Sequence, residues 1–234
     1  HLQICMLSLL SLWNFRTHDS SSWSACSNYF EHILVLSGHV SIEVTHSPAA
    51  FLSTILMPFC CLVSESAVFS TIFLSRFGTA QGLLEHAQNI VCSVRSLNTR
   101  GSPVHLDVIS GCITHTLGKV ARYRSNIRVA EKLLIAALDT WTSIGSSASP
   151  FKPHTCHELG IVYLRLNNTA KAEEYFSMAL KLRKQSITSL RCDSDAVSVE
   201  RLEALIAVHE SATLYQMAVI STSTKQYDHA EQLL

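Results

Sequence analysis

The chain has 234 residues, 47% of them hydrophobic, and its 18 Lys and Arg balance its 18 Asp and Glu. That length can bury one core or two, and zero net charge excludes the broad basic field that draws a protein to nucleic acid. The eight cysteines (Cys5, Cys26, Cys60, Cys61, Cys92, Cys112, Cys156 and Cys192) show no regular spacing and no C-x-x-C pair, the pattern of reduced thiols in a cytoplasmic protein.

Charge is unevenly spread. Residues 1–78 hold only Arg16, Asp19, Glu31, Glu43, Glu65 and Arg76, and the first lysine is Lys119. This shift places a boundary near residue 78, separating an apolar, low-charge segment of undecided fold (1–78) from a helical repeat domain (79–234). The run Leu2–Phe15 lacks the basic start and small-residue cleavage site of a signal peptide. The run Ala49–Leu74 is long enough for a bilayer, but Pro58 and Ser64-Glu65-Ser66 interrupt it. Three readings of 1–78 stand: a membrane anchor over 49–74, buried helices of an upstream degenerate repeat, or translated sequence without a selected fold, such as an intron. Both ends read as truncated, the start because it is His1 and the end because Glu231–Leu234 falls inside a helical pattern.

From residue 79 the apolar period is helical. Ala80, Leu83, Leu84, Ala87 and Val91 share one helix face. Asn98–Pro103 ends that helix, and a second is predicted over 104–122. Ser125-Asn126 turns the chain into a third helix ending near Ile144. Gly145–Pro150 is the next break. A fourth helix is predicted over 152–166, and Asn167-Asn168-Thr169 turns into a fifth ending near Lys184. A looser stretch is expected over 186–195, then a long helix over 197–221. A final helix is expected near Lys225, capped by Ser223-Thr224. No run alternates as a strand would.

Two of these stretches repeat each other at an offset of 42 residues. Leu117-Gly118, Ala130, Leu134 and Ala137 return as Leu159-Gly160, Ala172, Phe176 and Ala179. Glycine inside a helix costs about 1 kcal/mol against alanine, so Gly118 and Gly160 imply close helix approach. Small Ala130 and Ala172 suit the facing helix. Ala80 precedes Ala130 by 50 residues and Ala230 follows Ala172 by 58, which extends the pattern irregularly in both directions.

Residues 111–185 resemble tetratricopeptide repeats. Leu159-Gly160, Tyr163, Ala172, Phe176 and Ala179 stand at that family's motif positions, and Leu117-Gly118, Ala121, Ala130, Leu134 and Ala137 repeat the pattern. The period of 42, against the usual ~34, is similar to the long repeats of kinesin light chains and nephrocystin. The resemblance implies an all-α, right-handed α-solenoid of antiparallel helix hairpins, and a scaffold or adaptor that binds a partner peptide in a concave groove. The first helix of each pair would line that groove with His115, Lys119, Arg122, Tyr123, His154, His157, Arg165 and Tyr215. Those cations, histidines and aromatics suit an extended acidic or aromatic peptide. Chaperone-tail binding does not carry over, because His157 and Ile161 occupy the positions where the carboxylate clamp needs Lys and Asn. Kinesin cargo specificity does not carry over either, since His157-Glu158 and His115-Thr116 replace its Asn pair.

Other chemistry is weakly signalled. His154-Thr155-Cys156-His157 puts two histidines on one helix face and the thiol on another, short of the four converging ligands zinc needs. No cysteine has the setting of an activated nucleophile. Asn167-Asn168-Thr169 fits a glycosylation acceptor but also a hairpin turn. Lys181, Arg183, Lys184 and Arg191 read as cations placed at a helix C-terminus by the macrodipole. The expectation is therefore a protein-binding module without catalytic residues, cofactor, metal or small-molecule substrate. A membrane-anchored scaffold is the alternative and an enzyme the more distant one.

Overall fold

The structure, a computed structural model, describes residues 2–13, 20–46, 55–97, 104–144, 151–193 and 196–234. Among them are ten helices and no strand, as the all-α expectation required. They are α1 (Leu2–Leu12), α2 (Ser20–His46), α3 (Leu56–Ile72), α4 (Phe77–Leu97), α5 (Val104–Tyr123), α6 (Ile127–Ser143), α7 (Phe151–Arg165), α8 (Thr169–Asp193), α9 (Ala196–Ser223) and α10 (Tyr227–Leu233). The punctuating segments Asn98–Pro103 and Gly145–Pro150 and the start of the Ala49–Leu74 run lie outside the described residues. The helices form two compact units, His1–Asn126 and Ile127–Leu234.

In the first unit α3 packs against α1, α2, α4 and α5. Ten of its residues are buried, among them Phe59, Leu62, Val63 and Phe69. Its exposed line of Met57, Cys61 and Glu65 is mostly apolar, which is why its sequence carries no amphipathic period. Pro58 sits in its first turn, where backbone N–H groups have no intrahelical acceptor to lose. Buried Ser66 donates its hydroxyl to the Leu62 carbonyl at 2.6 Å, so the polar atom is not orphaned. Phe69 is the aromatic centre: Trp13 meets its edge at 5.6 Å between centroids, and Phe30 and Phe73 lie at 6.1 and 5.8 Å. No helix among the described residues is long and apolar enough to cross a membrane.

In the second unit α6 packs on α7, α7 on α8, α8 on α9 and α9 on α10. Two expectations are corrected here. The stretch after Lys184 is not loose, because α8 runs on to Asp193. Ser223 and Thr224 do not cap α10, since their hydroxyls donate back to carbonyls of Ile220 and Ser221, and Gln226 is the N-cap without a side-chain bond.

The turns repeat more faithfully than the helices. Ser75, Ser125, Asn167 and Lys225 all have positive φ, between 53° and 63°, at intervals of 50, 42 and 58 residues. These intervals match those separating Ala80, Ala130, Ala172 and Ala230, every one of them buried. After α5, α7 and α9 the turn closes with the same bond pair. Ser125 N–H donates to Arg122 O and Asn126 N–H to Ala121 O. Asn167 and Asn168 do the same to Leu164 and Tyr163, and Lys225 and Gln226 to Thr222 and Ser221. This left-handed closure satisfies the last helical carbonyls. After α3 it is one residue wider: Arg76 N–H reaches Ser70 O, and the Ser70 hydroxyl donates to Arg76 O. Asn168 then caps α8 by accepting the Lys171 N–H at 3.1 Å.

Candidate functional site

The α7–α8 hairpin is organised by Gly160. A Cβ there would lie 2.6 and 2.7 Å from Phe176 Cδ1 and Cζ, so the glycine makes room for a ring rather than for Ala172. His157 flanks the same ring at 5.6 Å between centroids. One turn along, Tyr163 and Tyr175 stack at 5.3 Å and 5°, and the Lys171 ammonium sits 5.0 Å above the Tyr163 ring. Burial pushes the Tyr163 phenol up to about 12, assisted by its hydrogen bond to Glu131. At the start of α7, Phe151 stacks on Trp141 of α6 at 5.5 Å, and the Trp141 indole N–H donates to Thr155 Oγ1 at 3.0 Å.

Beyond this apolar hairpin lies a polar cluster drawn from three helices. Thr213 of α9 is its hub. Its hydroxyl oxygen accepts from Arg183 Nη1 of α8, lies 2.9 Å from His157 Nδ1 of α7, and lies 3.0 Å from the His209 carbonyl to which it can donate. His154 and His209 meet edge to face at 4.3 Å between centroids. Arg183 is only 3% exposed. Burial pulls its guanidinium down from the usual range, while Glu210 works in the opposite direction. Cys156 is fully buried beside it, and desolvation pushes its thiol up to about 11, against the lowering effect of Lys152 and Arg183.

The residues expected to line a groove are placed as follows. In the second unit His154 and His157 face α9, where they meet His209 and Thr213. Arg165 is exposed at the C-terminal end of α7, and Tyr215 is 58% exposed on α9. In the first unit, on α5, His115 is 8% and Arg122 7% exposed, so both are largely buried, and the Arg122 guanidinium lies 4.2 Å over the ring of Tyr123. Lys119 is half-buried and its charge favours ionisation of Glu65, whose carboxyl burial pushes up.

Arg183, His209 and Thr213 were not anticipated as a group. The macrodipole explanation of Arg183 fails because α8 continues ten residues past it. Its signal was the helical period: Ala172, Phe176, Ala179 and Arg183 form one buried stripe. No set of three His, Cys, Asp or Glu among the described residues is arranged to hold a metal ion.

No curated protein matches the chain in sequence. Among solved structures it is similar to BtubC (BKLC) from P. vanneervenii, at 12% identity and TM-score 0.46 over 100% of this chain and 88% of that one. It is also similar to a putative kinesin light chain of Podosopora anserina with nearly identical TPR-like repeats, at 14% identity and TM-score 0.46 over 100% and 92%. The family model that matches is the tetratricopeptide repeat, over residues 110–185.

Proposed function

We propose that the chain is a scaffold or adaptor that holds a partner protein through an extended, acidic or aromatic peptide. Tetratricopeptide repeats in general serve protein–protein interaction, and the match over 110–185 is the observation that carries this reading. In the second unit the contacting face would run from His154 along α7 to Arg165, and include Tyr215 of α9. In the first unit it would be the α5 face exposed at Lys119 and Tyr123, with the largely buried His115 and Arg122 beneath it. A reducing, cytoplasmic setting suits the free thiols of Cys5, Cys26, Cys60, Cys61, Cys92, Cys112 and Cys156, of which Cys26, Cys60 and Cys156 are buried.

The test uses substitutions that leave the buried groups alone. Lys119→Glu, Arg165→Glu and Tyr215→Ala are combined in the full chain, and binding is measured against an array of acidic–aromatic peptides. Loss of about tenfold or more in affinity, with unchanged helicity and melting, supports the reading. Unchanged capture of every peptide bound by the parent chain sinks the assigned face.

A further inference from the structure

α9 presents to solvent a stripe without charge. Val208, Tyr215 and Val219 are exposed large apolar side chains. Exposed Ser211, Ala212 and Thr222 fall on the same face at helical spacing, so the stripe runs about four turns. Its two serine and threonine hydroxyls turn back on their own helix. Ser211 donates to the Ala207 carbonyl at 2.9 Å and Thr222 to the Ala218 carbonyl at 2.8 Å. Covering them strands no donor. A helix face left to water ordinarily carries charged side chains, and this one carries none.

The repeat register tells what kind of element fits this stripe. The left-handed turn residues Asn167 and Lys225 lie 58 positions apart. At that interval Ala212 and Tyr215 of α9 stand where His154 and His157 stand on α7. Those two positions of α7 are the ones that α9 covers: His154 meets His209, and His157 meets Thr213. Ile161 and Leu164, which correspond to Val219 and Thr222, are half-buried as well. The stripe is therefore the face on which the first helix of one hairpin receives the first helix of another.

A helix with a matching uncovered face exists in the same chain. α1 packs on α2 and α3 with Met6, Leu9, Leu10 and Trp13 turned inward. Its other side exposes Ile4, Leu7 and Leu12. No residue of α1 is charged, and exposed Ser11 donates its hydroxyl to the Ser8 carbonyl at 2.8 Å. Joining the two faces buries apolar surface on both sides, with no charge to desolvate. We infer that the chain associates head to tail, with α1 of one copy packing on the α9 stripe of another. The two faces differ, so the contact is heterologous, and each added copy brings a fresh α9 stripe. This inference does not rest on the peptide-binding reading. Tyr215 belongs to both faces, so the substitutions below leave it in place.

The test is light scattering on the full chain from about 1 μM to about 100 μM, over which the weight-average mass should rise with concentration. Val208→Glu with Val219→Glu, and separately Ile4→Glu with Leu7→Glu, should each hold the chain monomeric with unchanged helicity. Mixed in equal amounts, the two variants should form a dimer and stop there, because each supplies the face that the other has lost. A parent chain that stays monomeric throughout overturns the inference and leaves the stripe to a helix of another protein. An association that the Ile4 and Leu7 changes leave intact also overturns it, since a two-fold α9 contact behaves that way. Should a variant lose its helicity, the parent chain decides through its own thiols. Exposed Cys5 lies on α1 and exposed Cys92 on α4. Alkylation of Cys5 should slow by about threefold or more at the higher concentration while that of Cys92 holds. Equal rates for Cys5 at both concentrations overturn the inference.

Discussion

Phe176 lies where the side chain of residue 160 would be. Gly160 leaves out that side chain, and the ring from α8 fills the gap against α7, with its Cδ1 and Cζ within 2.7 Å of the position a Cβ would take. The ring belongs to backbone-near packing and has no flexible end to move aside. Gly160→Ala is therefore expected to destabilise the second unit by about 1–3 kcal/mol through overpacking, despite the better helix propensity of alanine. Phe176→Ala is expected to cost about 3–5 kcal/mol through the cavity it leaves. Urea unfolding of both variants and of the double mutant tests the pairing. The double mutant should be less destabilised than the two effects summed, and strict additivity would show that the two positions do not meet.

Removing the hub of the polar cluster strands its donors. Thr213→Val keeps the side-chain shape but leaves Arg183 Nη1 and His157 Nδ1 without the oxygen they share. A loss of about 1–3 kcal/mol is expected. In an Arg183→Met background the same change should cost clearly less, because a methionine has no buried cation to leave unpaired. Chemical denaturation of the four chains of this cycle gives the coupling directly.

The left-handed turn residues are an opportunity for stabilisation. Lys225 at φ 63° and Ser125 at φ 62° carry a Cβ where glycine is the preferred occupant. Lys225→Gly and Ser125→Gly should each raise stability by a few tenths to about 1 kcal/mol, the relief of Cβ strain exceeding the added freedom of the unfolded chain. Asn167→Gly should gain less, since asparagine tolerates this conformation better. Thermal melts rank the three, and a destabilised Lys225→Gly would contradict the turn geometry.

The buried thiol makes a prediction about alkaline pH. Cys156 is held neutral, its thiol pushed up to about 11 by desolvation. A thiol raised in the folded state stabilises fully below its unfolded value near 9 and loses that contribution as pH rises toward 11. Stability of the second unit should fall across that window, and Cys156→Ala should flatten the fall. At neutral pH, alkylation should reach exposed Cys5 and Cys92 quickly and Cys156 only as the unit opens. Equally fast modification of Cys156 would show that its side chain is accessible.

Much of the second unit was legible as sequence. Ala130, Leu134 and Ala137 on α6 and Ala172, Phe176 and Ala179 on α8 are all buried, as their helical spacing required. Asn167-Asn168 proved to be a turn and a cap, because a short amide side chain can accept from the next helix while its neighbour takes positive φ. The first unit was opaque for the opposite reason. α3 is buried over most of its surface, and its exposed line of Met57, Cys61 and Glu65 is mostly apolar, so it leaves no polar period to read.

The order of helices, their turns and the repeat intervals of 50, 42 and 58 residues were set by local rules, since spacing along one helix and the conformation of one turn depend on neighbours in the chain. The sequence by itself therefore determined an all-α protein of helix hairpins, with a stretch that resembles tetratricopeptide repeats. Only the tertiary structure decided that Phe176 fills the space of Gly160, that Arg183 is a buried cation rather than a solvated helix end, and that His154, His157, His209 and Thr213 converge. The contacts that join these residues across different helices span 16 to 56 positions of the chain. Which side chains share a dry space is fixed by how helices pack, and no local pattern records it.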